Sequence, residues 1–189
     1  ELQQQLLKDG ATLIGVPNRD GRDLARLATV SASSEAAGEG MAAARAVDGY
    51  ARFFEGDAHA WAPDAQAGGP HWLELAWPEP VALNVVHLSF QTRALAPRRF
   101  SVQAWHGGDW RTLAEVTGNR RRRCVLGLER TSTTRLRVLL PEPAGICEVR
   151  VYHEPAREVE QARRLMGQAA QPEPDARLPW ESGPDPRAL

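Results

Sequence analysis

Phe100-Ser101-Val102-Gln103-Ala104-Trp105-His106-Gly107-Gly108-Asp109-Trp110-Arg111-Thr112-Leu113-Ala114-Glu115-Val116 is the stretch on which the architecture turns. Phe100, Val102 and Ala104 recur at every second position, and so do Trp110, Thr112, Ala114 and Val116. That is the period of a strand with one buried face; a helix would repeat near 3.6. Between the two runs, His106-Gly107-Gly108-Asp109 supplies the glycines that a tight hairpin turn needs. The stretch reads as two adjacent antiparallel strands.

The same period extends in both directions. Ala28 to Ser33 opens the series, and Trp72 to Trp77 places Leu73, Leu75 and Trp77 on one face. Val81, Leu83 and Val85 alternate and then give way to Val86, Leu88 and Phe90, a slip of phase that predicts a bulge or burial on both faces. Downstream, Cys124 to Leu128, Arg135 to Leu140 and Ile146 to Tyr152 are three further strands. No 10-residue helical pattern separates them, so a parallel α/β sheet is disfavoured. Residues 27–154 therefore read as one all-β, antiparallel domain.

The flanks follow a different pattern. Residues 1–26 form a helical lead-in and linker: Leu2 and Leu6 share a helical face, Gly10 stops it, and a turn through Pro17, Asn18 and Asp20 precedes a short helical turn at Leu24. Pro155 suits the first position of a helix over residues 155–171, with Val159, Ala162, Leu165, Met166 and Ala169 on one face. Residues 172–189 carry five prolines and few apolar side chains, a composition expected to stay extended or disordered. Since the first residue is Glu1, not Met, the chain reads as a piece of a longer protein or a processed product.

Composition excludes several functions. A formal net charge of −1 gives no field to attract nucleic acid or an anionic membrane, and no apolar run approaches the roughly 18 residues that span a bilayer. Arg120 to Arg123 is one strong charge run, but strand alternation would divide it between two faces. Cys124 and Cys147 each fall on an apolar phase and read as buried thiols, with a disulfide as the alternative. No nucleophile elbow, phosphate loop, zinc helix or dinucleotide fingerprint is present; Gly38-Glu39-Gly40 lacks the third glycine. Glu35 with Glu39, and Asp57 with Asp64, read as solvated loop acids, and no catalytic residue is assigned.

Fragments in fixed order carry a resemblance. They are Ala28-Thr29-Val30-Ser31-Ala32-Ser33-Ser34, Ala46-Val47-Asp48-Gly49, Trp61, His71-Trp72-Leu73-Glu74-Leu75, Val85 to Phe90, Phe100-Ser101-Val102 leading to Trp110, Leu136-Arg137-Val138, and Cys147 to Tyr152. In this order they resemble the discoidin, or coagulation factor 5/8 type C, family, close to the family 32 carbohydrate-binding modules. The resemblance implies a galactose-binding-like jelly-roll β-sandwich of about eight strands with short flanking helices. A narrower likeness, in Leu2 to Leu7, Arg22 to Ala28 and His59-Ala60-Trp61, resembles the C-terminal region of bacterial FAD-dependent oxidoreductases. It implies a flavin domain upstream, with no FAD bound by the present residues.

In that family, ligands bind on loops at one end of the sandwich, which here correspond to residues 49–60, 92–99 and 117–123. Sugar recognition needs planar multi-donor side chains and an apolar face, so His59, Arg93, Arg98, Asn119, Tyr50 and Phe54 are the candidates. Trp61, Trp72 and Trp110 sit where the family buries tryptophans and are expected in the core. Eleven residues, Tyr50 to Ala60, separate Asp48-Gly49 from Trp61, an insertion that either builds a different site or covers the usual one. The resemblance also implies a structural Ca²⁺ between Asp48 and Glu148, although Glu148 equally suits pairing with an arginine. The expectation is a non-catalytic accessory carbohydrate-binding module. The alternative is a sandwich that packs on an upstream enzyme domain and binds no sugar.

Overall fold

The structure is a computed structural model that describes residues 17–38, 40–53 and 56–167. The segment Leu2 to Gly10, the candidate Phe54 and the Pro-rich tail lie outside the described residues. The elements are β1 (Thr29–Ala32), β2 (His71–Phe90), β3 (Phe100–His106), β4 (Asp109–Val116), β5 (Arg123–Leu140), β6 (Ile146–Tyr152) and α1 (Ala156–Gly167). All strand pairs are antiparallel, in the order β1-β2-β5-β3-β4 with β6 on β2.

Two long strands run through both layers of the sandwich. Residues 71–76 of β2 lie between β1 and residues 135–140 of β5, whereas residues 85–90 lie between the start of β5 and β6. The register shifts between Ala76 and Val81, where Pro78 and Pro80 offer no N–H to a ladder, so the strand is free to turn from one layer into the other. The sequence predicts separate strands on either side of this point and again in residues 124–140. The structure joins each pair, and six strands supply the eight segments of the sandwich.

A single core fills the space between layers, with Trp61, Leu73, Leu75, Val86, Leu88, Phe90, Leu136 and Val138 at 1% exposure or less. The phase slip in β2 is a register shift between Leu83 and Val85. It leaves Val86 facing the core while Val85 joins Tyr152, Val159 and Ala162 in a second cluster on the outer face of the three-stranded layer. The helix α1 follows Pro155 and is seated by Gly127. A Cβ there would lie 2.4 Å from the Val159 carbonyl and 3.0 Å from the Arg163 amide.

The lead-in also docks. Asn18 Oδ1 accepts from the Asp20 amide, and the expected helical turn is a 3₁₀ turn at Leu24–Leu27. Buried Asp23 ties it to the sheet, accepting from the amides of Ala25 and Val151 and from Asn18 Nδ2 at 2.9–3.1 Å. Cys124 and Cys147 are both buried thiols, and the Cys124 Sγ lies 3.4 Å from Asn119 Oδ1.

Two tryptophan expectations need correction. Trp61 is in the core, but Trp72 and Trp110 are half-exposed. Trp72 precedes Leu73, which points inward, so alternation sends it outward. The β3–β4 ladder pairs Val102 with Ala114 and Gln103 with Thr112, leaving Leu113 as the extra residue of a bulge. Beyond it the phase of β4 reverses, and Trp110 stands on the outer face.

Candidate functional site

The ends of β2, β4 and β5 and the starts of β3, β5 and β6 meet at one end of the sandwich, where the loops 91–99, 117–122 and 141–145 run. The segment before Trp61 joins them, because Trp61 pairs with Ile146 at the start of β6. The loops 49–60, 92–99 and 117–123 therefore lie at this end. What the side chains do there is less uniform.

Asn119 is fully buried. Its Nδ2 donates to the carbonyls of Pro97 and Arg121 at 3.0 Å, its Oδ1 accepts from the Arg121 amide, and its own amide donates to the Arg98 carbonyl. It is a bracket between two loops rather than a ligand contact. Arg122 does similar work across the third, donating through Nη1 to the Ala51 carbonyl at 2.7 Å. The Arg120 to Arg123 run is thus no continuous basic patch.

The insertion folds back on Asp48. His59 Nδ1 lies 2.6 Å from Asp48 Oδ2 and Nε2 lies 3.3 Å from Asp57, while the Tyr50 amide donates to Asp48 Oδ1 at 3.0 Å. The Tyr50 and His59 rings stack at 4.0 Å, and Arg45 reaches both acids at 3.5–3.6 Å. His59 has φ of +40°, the sole non-glycine residue at positive φ among the described residues, a conformation held only by such surroundings. Gly40, at φ +75°, lets the loop close on Asp57 and Ala58; a Cβ there would sit 2.5 Å from the Asp57 carboxylate.

This arrangement decides the fit of a calcium ion. Glu148 is 2% exposed with Arg150 Nη2 at 2.6 Å from its Oε2, and Asp48 faces His59, Arg45 and an amide donor. A divalent cation would have to share Glu148 with a guanidinium, and no group of three or more His, Cys, Asp or Glu side chains suited to a metal occurs among the described residues. The Asp48 and Glu148 donors do not fit a shared calcium. Burial pushes the Glu148 carboxyl above its ordinary value, and the Arg150 hydrogen bond draws it partly back.

Arg93, Leu95 and Arg98 remain exposed on the 91–99 loop, and Phe53 is exposed beside the Ala51 clamp. The outer face of the five-stranded layer carries a group the sequence reading missed. Trp105 and Trp110 meet edge to face at 5.3 Å, Arg137 lies 4.2 Å over Trp110, and Arg135 stacks at 4.8 Å on Trp105 while paired with Glu74 at 2.7 Å. On the opposite layer, a groove of about 620 Å³ runs between α1 and the outer face, floored by Val85, His87, Val125 and Tyr152.

Comparison with known proteins places this geometry. A family model for a domain of unknown function, DUF7402, matches residues 23–95. A search of curated proteins returns no match. Solved structures do match. They include the lectin domain of lectinolysin complexed with Lewis B antigen, 20% identical over 71% of this chain and 99% of that one, with a TM-score of 0.60. The family 32 carbohydrate-binding module of Clostridium perfringens NanJ, in complex with galactose, is 16% identical over 70% and 98%, with a TM-score of 0.59. Chitosan-binding module 1 of a chitosanase/glucanase from Paenibacillus sp. IK-5 is 24% identical over 69% and 98%, at 0.56. The chain has the galactose-binding-like β-sandwich fold of these modules.

Proposed function

We propose that the chain is a non-catalytic carbohydrate-binding accessory module whose ligand rests on the loop end. One observation carries this reading. Asn119 and Arg122 brace three loops from beneath, and the braced rim presents Phe53, Arg93, Leu95 and Arg98 outward. Exposed guanidinium donors beside exposed apolar side chains suit the hydroxyl pairs and C–H faces of a sugar ring. A rim held by buried hydrogen bonds loses little freedom on binding. That the matched sandwiches include sugar-binding modules supports the same reading. Its place at the end of a flavin oxidoreductase rests on the sequence resemblance.

Glycan-array screening followed by calorimetry tests it. Arg93→Ala with Arg98→Ala should weaken binding about tenfold or more while leaving the melting temperature unchanged. Failure to bind any glycan, together with stable association with an upstream domain, would favour the second reading, a structural sandwich that packs on its parent enzyme. The internal engagement of His59, Tyr50 and Asn119, which removes half of the expected recognition set, is the observation on its side.

A further inference from the structure

The groove beneath α1 is built from four parts of the chain. The N-terminal turn gives Asp20 and Arg22, the three-stranded layer gives Val85, His87, Val125 and Tyr152, the junction gives Glu154, and α1 gives Glu158, Gln161 and Leu165. At about 620 Å³ it falls in the range of small-molecule sites, roughly 300–1,000 Å³.

Its charges already have partners. Arg22 pairs with Asp20 at 2.8 Å and with Glu154 at 3.5 Å, and Glu158 holds Arg157 at 2.9 Å. What the groove offers a ligand is therefore mostly neutral. His87 stands edge-on to Tyr152 at 5.3 Å, and its imidazole is held down to about 4 by burial and by Arg150 and Arg123, so at neutral pH it can both donate and accept. Gln161 adds an amide with the same two capacities, and the carboxylate oxygens of the rim keep lone pairs for hydroxyl donors. Val85, Val125, Ala162 and Leu165 give an apolar surface. The Asp20–Arg22–Glu154 triad is satisfied within itself, and a polyhydroxyl ring meets donors, acceptors and an apolar patch in place.

We infer that the groove between α1 and the three-stranded layer is a second ligand site, taking a small neutral sugar, apart from the loop end. It rests on the sugar-binding reading of the chain but on none of the loop-end residues. The helix, an appendage to the sandwich, forms one wall of the site.

The test is an NMR titration of the full 189-residue chain, labelled with ¹⁵N, using glucose, galactose and cellobiose, with glucosamine and glucuronate as charged counterparts. The expected result is saturable shifts at Val125, Gln161 and the His87 ring with a neutral sugar. Gln161→Ala together with His87→Phe should abolish the Val125 shift and leave any at Arg93 and Arg98 in place. Shifts confined to residues 91–99 and 49–53 would overturn the groove and keep the loop-end reading. Response to glucosamine or glucuronate alone would overturn the neutral ligand, and no shift with any sugar would overturn both sites. A protein whose helix no longer docks would reveal itself in the Val159 and Ala162 signals, which the double variant should keep.

Discussion

The loop end and the α1 groove treat polar side chains in opposite ways. At the loop end, Asn119, Arg122, His59 and Asp48 face one another or main-chain groups, and the insertion Tyr50 to Ala60 closes against Asp48. In the groove, charges are paired along the rim while the imidazole of His87 lines open space. A polar residue in a loop is thus a poor guide to a ligand contact. Buried and bonded, it positions the chain, and recognition falls to whatever it leaves exposed.

The comparison breaks most readily at Asn119. Replacing it with Ala removes its side-chain hydrogen bonds and leaves the Pro97 and Arg121 carbonyls and the Arg121 amide without their partner, at a cost of about 3 kcal/mol. Urea unfolding should show the loss, and any loop-end ligand should go with it. Gly127→Val attacks the other region. The added side chain meets Val159 and Arg163, so α1 should lift from the sheet at about 2 kcal/mol, read as new proteolytic cleavage within residues 156–167. The groove should vanish and the loop end should stay intact.

A smaller effect sharpens the contrast through pH. Folded His87 refuses a proton until about pH 4, whereas the unfolded chain accepts one near 6.5. Stability from this group is therefore present above about 6.5 and is lost as pH falls toward 4. Allowing for the solvent contact of a groove wall, the loss is on the order of 1–2 kcal/mol, and His87→Gln should flatten it in unfolding measured across that window. Asp23 and Glu148 act in the opposite sense, because burial raises both carboxyls and their stabilisation fades as pH rises through the folded values. Smallest of all is the response to chelator. Glu148 is paired with Arg150, and a thermal melt with EDTA should match one without it.

The sandwich was legible because alternation records which side of a strand is buried. The slip between Val85 and Val86 even announced a second buried face before any helix was placed on it. The site was legible only in outline. Asp48, His59 and the three loops do share one end, yet nothing in Gly118-Asn119-Arg120 distinguishes a buried bracket from an exposed donor. That depends on carbonyls of Pro97 and Arg98, some twenty residues away. The outward turn of Trp110 was hidden for a different reason, since a one-residue bulge at Leu113 reverses the phase without altering the pattern of residue types. Glu148 and Arg150 share a strand face at spacing two, and that signal was present from the start.

β2 and β5 are paired along nearly their whole lengths while passing through both layers. Neither layer can open as a separate foldon, because fraying one pulls on ribbons that are hydrogen-bonded in the other. Amide exchange should therefore show one shared, high protection across His71–Ala76 and Val86–Ser89, with low protection confined to the connecting loops. The same wiring joins residues from 34 to 69 positions apart before any layer is complete, and closing such distant pairs makes folding slow compared with a helical chain of this size.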